Sequence, residues 1–180
     1  MSSSDEFASS LLEEAKRFFE KGGTEESAEG RRAYFHAAIV LAFAAFEAHI
    51  NAIAEDFVHR KDLTLLDRSI LQELEISLDK GKFQVSNKLK IYRLEDRVQF
   101  LLSRFKAKPV DERSQWWGEL SAALELRNQL THPKSPPVVN KDRVSCCLVA
   151  IIDALDAIYR AVYRRRYPLR RQALTSTMDF

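Results

Sequence analysis

The chain has only two cysteines, five glycines and five prolines in 180 residues. The cysteines, Cys146 and Cys147, are neighbours on a predicted helix. Successive helical side chains diverge by about 100°, so the two are poorly placed to bridge each other. There is no Cys-x-x-Cys pair and no Cys/His ligand spacing, which argues against a structural zinc site or a disulfide framework and fits a reducing cytoplasm. So few turn-formers leave little room for the many tight turns of an all-β fold. Charge of one sign is also scarce: 28 basic residues stand against 26 acidic ones, a formal net charge of +2, which by itself implies no polyanion partner. The most apolar stretch, Ala37 to Ala54, is interrupted by Glu47, His49 and Asn51. It is too short and too polar to span a membrane, so a buried core helix is expected. The opening Met-Ser-Ser-Ser-Asp-Glu lacks the basic and apolar regions of a signal peptide. No glycine-rich phosphate loop, no Gly-x-Ser-x-Gly and no Cys–His nucleophile pair occurs, and no repeat of solenoid length.

What is present is helical periodicity. With 46% hydrophobic and 30% charged residues the composition is that of a globular protein. A first helix is predicted from Asp5 to Glu20, with Phe7, Leu11, Ala15 and Phe18 on one face, stopped by Gly22-Gly23. A long second helix, Glu29 to Arg60, carries Ile39, Phe43, Phe46, Ile50, Ile53 and Phe57 in alternating steps of four and three, the face of a bundle helix. A short helix follows at Leu65 to Leu74, then a loop around Asp79 to Lys82, then a helix from Leu89 to Phe105. Pro109 breaks the chain. A fifth helix runs from Ser114 to Thr131 and ends at the proline-rich stretch Pro133 to Pro137. Asn140 is a good N-cap for the last helix, whose stripe is Val144, Leu148, Ile151, Leu155, Ile158 and Val162, and Pro168 ends it. No segment reads as a half-buried strand. The expected fold is all-α: one domain over residues 1–180, an antiparallel bundle of four to five main helices with short extra helices. A basic tail occupies about 164–180.

One charge sits in the wrong place. Winding the fifth helix at 100° per residue with Arg127 at zero puts Trp116 near about −20°, Leu120 near +20°, Ala123 near −40° and Leu124 near +60°. Arg127 thus lies in the middle of the apolar stripe, where an arginine must snorkel, pair with an acid, or face a pocket or partner. Glu47, which also interrupts an apolar helix, is the candidate acid. Asn128 and His132 are four apart and share a face. Arginine offers planar donors that fit phosphate oxygens, and histidine can give or take a proton near neutral pH. An ideal helix would put His132 about 140° from Arg127. The two meet only if the helix loosens before Pro133, if Arg127 bends around, or if a second subunit completes the site.

The segment Arg127-Asn128-Gln129-Leu130-Thr131-His132, late in an all-α chain, resembles the hallmark of the HEPN superfamily (higher eukaryotes and prokaryotes nucleotide-binding domains): an arginine, a polar residue, spacers and a histidine near the end of a late helix. The long early helix around Leu41 to Asn51, with its embedded Glu47, resembles the family's second helix. Among HEPN groups the chain looks most like the stand-alone prokaryotic proteins, some associated with toxin–antitoxin or phage-defence systems. The resemblance implies a metal-independent endoribonuclease, without cofactor, acting on RNA as a homodimer whose two motifs meet at the interface. A cognate antitoxin or a nucleotidyltransferase is a possible partner. Carried over, His132 would take a proton from the 2′-hydroxyl or protonate the leaving oxygen, Arg127 would hold the scissile phosphate, and Asn128 would position the pair. Glu47 anchoring Arg127 is an inference from chemistry alone.

Three further features have two readings each. Arg160, Arg164, Arg165, Arg166, Arg170 and Arg171 form a cluster that can attract phosphate, Arg164 to Arg166 being the RNA-binding candidates. They equally fit a solvated helix end favoured by the helix dipole. Trp116-Trp117 could stack bases, but Trp116 points with the apolar stripe, which favours packing or a dimer contact. His36, His49 and His59 read as polar helix residues, since a di-metal bundle needs two Glu-x-x-His units and the chain offers one loose approximation, Asp56-Phe57-Val58-His59, with no second copy. The alternative to the enzyme is a non-catalytic helical module that binds a nucleotide or a partner protein.

Overall fold

The structure, a computed structural model, describes residues 3–106 and 114–180. It is 69% helical, with six helices and one small two-stranded sheet. The elements are α1 (Ser3–Thr24), α2 (Ala28–Phe57), α3 (Leu65–Gln72), β1 (Leu74–Asp79), β2 (Lys82–Leu89), α4 (Leu94–Lys106), α5 (Gln115–Thr131) and α6 (Lys141–Tyr163), followed by a short 3-10 turn at Pro168–Gln172. The break assigned to Pro109 lies outside the described residues.

Local chemistry sets most of these boundaries. The Ser27 side chain accepts from the Gly30 amide to start α2, and the Asn140 side chain accepts from the Arg143 amide to start α6. Thr64 and Asp67 form a reciprocal capping box at the head of α3. α6 ends at Arg164, in a left-handed conformation, so Pro168 opens the 3-10 turn instead of ending the helix.

Two sequence expectations need correction. Gly22 and Gly23 do not stop α1, which runs on to Thr24. Their value lies in packing: a Cβ on Gly22 would sit 2.5 Å from the Phe35 ring of α2. The glycine is what lets α1 and α2 approach closely where Phe19 and Phe35 meet. Second, the stretch taken as a loop and the start of a helix is a β-hairpin. Asp79 pairs with Lys82 across a two-residue turn. Lys80 and Gly81 both have positive φ, +46° and +79°, the backbone of a type I′ turn, whose twist matches the strands. Leu78 opposes Phe83 and Ile76 opposes Val85 on one face, with Ser77 opposite Gln84 on the other. That alternation is present in the sequence, but its apolar tip is not buried: Leu78 and Phe83 are exposed. Ile91, inside the helix expected from Leu89 to Phe105, is exposed in the linker before α4.

α2 is the central helix. It is long and apolar enough to cross a membrane by composition, yet 61% of its most apolar window is buried inside the bundle. Ser4 at the start of α1 reaches Glu55 near the end of α2, while Phe18 meets Tyr34 at the other end, so the pair is antiparallel. α5 and α6 form a second antiparallel pair. Ile39, Phe43, Phe46, Ile50 and Ile53 of α2 share one core with Leu148, Ile151, Leu155 and Ile158 of α6. Burying a single side chain of this size is worth roughly 1.5–3 kcal/mol.

The residues after α6 fold back along α1. The Thr177 amide and hydroxyl both donate to Glu13 Oε2, at 2.6 and 3.0 Å, and the Ser176 hydroxyl donates to the Glu13 carbonyl. Glu13 also accepts from Lys16, which is fully buried, at 2.8 Å. The stretch expected to be a basic tail is therefore a strap tied to the first helix beyond the 3-10 turn.

Candidate functional site

Arg127 lies in the last turn and a half of α5, on the side of the helix that faces α2. Its buried neighbours along α5 are Leu120, Ala123 and Leu124, so the position lies over core, as the helical winding predicts. The guanidinium escapes full burial because it is close to the end of the helix, and its side chain is 31% exposed. One terminal nitrogen donates to Glu47 Oε1 at 2.9 Å, and the other to Asn128 Oδ1 at 3.1 Å. The guanidinium carbon stands 6.0 Å from the Phe43 ring centre. Phe43 and Glu47 are one turn apart on α2, so a single helical face supplies both the ring and the carboxylate. The side chain is thereby fixed while part of it faces solvent.

His132 is the C-cap of α5. Its amide donates to the Asn128 carbonyl at 2.9 Å, and its backbone, at φ −132° and ψ 61°, has already left the helix. Pro133 follows and forbids another helical turn. The imidazole is exposed beside a shallow hollow of about 580 Å³ whose wall includes Asn128, Gln129, Lys134 and Pro137. Arg127 does not line that hollow. Asn128 therefore connects two half-sites: its carboxamide oxygen holds Arg127, and its backbone carbonyl holds the His132 amide. Arg127 and His132 form no hydrogen bond with each other, in keeping with their angular separation on the helix.

The expected arginine cluster sits elsewhere. Arg164, Arg165 and Arg166 are exposed just past α6, near the start of α5, where Trp116 lies. From Trp116 to His132 is sixteen residues, roughly 24 Å of helix. Arg165 stacks over Tyr163 at 5.3 Å and Tyr159 at 6.0 Å, and Arg164 donates to the Phe105 carbonyl at 3.3 Å.

The other sequence candidates separate by burial. Trp117, not Trp116, is the buried tryptophan, and Trp116 is half-buried at the edge of a cavity. His59 is exposed, whereas His49 is a core residue, 1% exposed. Its Nε2 lies 2.9 Å from the Tyr167 hydroxyl, and its Nδ1 has no hydrogen-bond partner among the described residues. Burial disfavours the imidazolium and holds its pKa down at about 4, against a weak opposing pull from Asp5. Among the described residues no group of three or more His, Cys, Asp or Glu is placed to hold a metal ion.

Besides the Glu13–Lys16 seam, sequence reading missed two buried charge networks. Arg97 of α4, 4% exposed, donates to Glu73 at 2.9 Å, to Asn51 at 2.8 Å and to the Leu71 carbonyl at 3.3 Å. It ties the base of the hairpin to the middle of the bundle. Asp156 of α6, 2% exposed, accepts from Arg160 at 2.7 Å, from the Tyr167 amide at 3.1 Å and from Arg170. Burial opposes the Asp156 charge, but those hydrogen bonds and the two guanidinium charges more than offset it and hold the carboxyl below its usual range. An acid on the core face of α6, one turn before Arg160, was the available signal.

No protein-family profile, no curated protein and no solved structure matches this chain.

Proposed function

We propose that the chain is a metal-independent endoribonuclease of the HEPN type, with Arg127 and His132 as its catalytic residues and a second copy of the chain completing the site. The observation that carries the reading is the state of Arg127. It is oriented by Glu47 and Asn128, yet its side chain is 31% exposed and it lies five residues before an exposed histidine. An arginine present only to close a core charge pair would have no need of that histidine at the same helix end.

The chemistry follows from the groups available. Histidine accepts the proton of the ribose 2′-hydroxyl, and the freed oxygen attacks the adjacent phosphorus. The new 2′-O–P bond forms as the P–O5′ bond breaks, and the leaving oxygen takes up a proton. The products are a 2′,3′-cyclic phosphate and a 5′-hydroxyl end. Arg127 stabilises the charge that builds on the non-bridging oxygens. The pair Arg127–Glu47 fixes the guanidinium before substrate arrives, which lowers the cost of organising it during the reaction. Because Arg127 and His132 diverge within a protomer, a two-fold arrangement that brings one motif against another supplies both an acid and a base.

The test is incubation of labelled RNA with the protein in excess EDTA, beside His132→Ala and Arg127→Ala, with circular dichroism as a check of folding. The reading expects cleavage by the unsubstituted chain alone, leaving cyclic phosphate ends. Equal cleavage by all three proteins would remove the chemistry from this motif.

A further inference from the structure

At the opposite end of α5, Trp116 forms one wall of a cavity of about 400 Å³ between α5 and α6. The polar part of its lining is mostly cationic: Arg160, Arg164 and Arg170, with Asp153 and Asp156. Cations exceed carboxylates by one among these residues. Asp156 organises the cluster. It holds the Arg160 Nε at 2.7 Å and also binds Arg170, whose second terminal nitrogen lies 3.1 Å from Asp153. Two of the three guanidinium groups are thus locked in place before any ligand arrives. Arg160 spends only its Nε on Asp156, so its terminal N–H groups carry no carboxylate among the described residues. Arg164 is bonded to a neutral carbonyl, at Phe105, and keeps its charge uncompensated among the same residues.

The rest of the lining is apolar. Trp116 meets Trp117 edge-on, 5.6 Å between ring centres at 84°, so the buried indole fixes the half-buried one. Opposite it, Ala157 and Ala161 sit one turn apart on α6 and fill little space. An indole beside two small alanines offers an apolar surface to a flat ring, with arginines in the same lining for an oxyanion. Planar guanidinium donors suit phosphate oxygens better than a point cation would. A second hollow, about 380 Å³, continues beyond Arg170 and is walled by Arg166 and Arg171.

We infer that this cavity binds a nucleoside phosphate, its base against Trp116 and its phosphate on Arg164 and Arg160. The inference stands apart from the ribonuclease reading, since it concerns other residues some 24 Å along α5 from His132. Two sources share the chemistry, a free mononucleotide and one unit of a single-stranded RNA whose next phosphate continues toward Arg166 and Arg171.

The experiment uses the full chain carrying His132→Ala, so that binding is measured without cleavage. Adenosine monophosphate, adenosine, inorganic phosphate and a hexamer of adenylate are titrated while tryptophan fluorescence and binding heat are recorded. Saturable quenching by the monophosphate is expected, with adenosine and inorganic phosphate each at least tenfold weaker. Arg164→Glu should weaken the monophosphate at least tenfold. Trp116→Phe should abolish most of the quenching while calorimetric binding stays within about threefold, since phenylalanine still offers a ring. A hexamer at least tenfold tighter than the monophosphate assigns the site to an RNA strand, and equal affinities assign it to a free nucleotide. The inference is overturned if neither ligand binds, if Arg164→Glu binds as well as its parent, or if inorganic phosphate matches the monophosphate. No RNA cleavage by the unsubstituted chain, with nucleotide binding intact, would count against the ribonuclease reading alone.

Discussion

Replacing His49 with glutamine should flatten the acid side of the stability profile. In the folded chain His49 is 1% exposed, with its Nε2 against the Tyr167 hydroxyl and its Nδ1 unpartnered among the described residues. Its pKa falls from 6.5 to about 4 on folding. A depressed native pKa means that the unfolded chain takes up the proton first as pH falls. The contribution is therefore fully present above pH 6.5, declines below it, and is lost once pH has passed through about 4. At 1.36 kcal/mol per pKa unit, that shift corresponds to about 3 kcal/mol. Urea unfolding followed by circular dichroism at half-unit steps from pH 7.5 to 4 gives the unfolding free energy of both proteins. Carboxylates titrate toward the bottom of that window too, so the quantity read is the difference between the two profiles. Glutamine keeps a polar group beside Tyr167 but cannot titrate, so the gap between the proteins should shrink by about 3 kcal/mol toward pH 4. Parallel profiles would show that His49 protonates as readily in the folded chain as in the unfolded one, and the burial argument would fail.

Three other substitutions probe separate parts of the structure. Glu47→Gln should cost under about 1 kcal/mol of stability, because both members of its pair with Arg127 are partly exposed, yet lower the rate of RNA cleavage at least tenfold; urea midpoints and single-turnover rates measure the two effects. Gly22→Ala should destabilise by about 1–2 kcal/mol, the overlap with Phe35 outweighing alanine's better helix propensity, as thermal melts would record. Asp156→Ala should cost about 2 kcal/mol by leaving the buried Tyr167 amide without its acceptor, and should also weaken nucleotide binding, both measurable on one protein preparation.

How much of this was legible beforehand depended on whether a local pattern carried the information. The capping residues Ser27, Thr64 and Asn140 act over three or four positions, and the helix starts they mark follow from nearest neighbours. The Arg127–Glu47 contact spans eighty residues, yet it was readable because each side chain interrupts an otherwise apolar stripe and the two charges are opposite. The hairpin was harder. Leu74 to Asp79 and Phe83 to Ser86 do alternate, but lysines flank them and their apolar tip faces outward, so no burial signal reinforced the period. Gly22 fits equally well as a helix stop or as a crossing point, and only the position of Phe35 decides between them. The cavity beside Trp116 draws on α5, α6 and the segment after it, a juxtaposition that exists only once the last helix has reversed against its neighbour.

The strap across α1 bears on the order in which the molecule can be finished. Glu13 and Thr177 are 164 positions apart, so the polar seam around the buried Lys16 stays incomplete until residue 177 is available. A chain emerging from a ribosome forms the α1–α2 hairpin early, from contacts close in sequence, but holds that seam open to water until residue 177 has emerged. The closing contact must wait for Thr177. A chain truncated a few residues short of Thr177 would keep its helices and leave its first one unsealed.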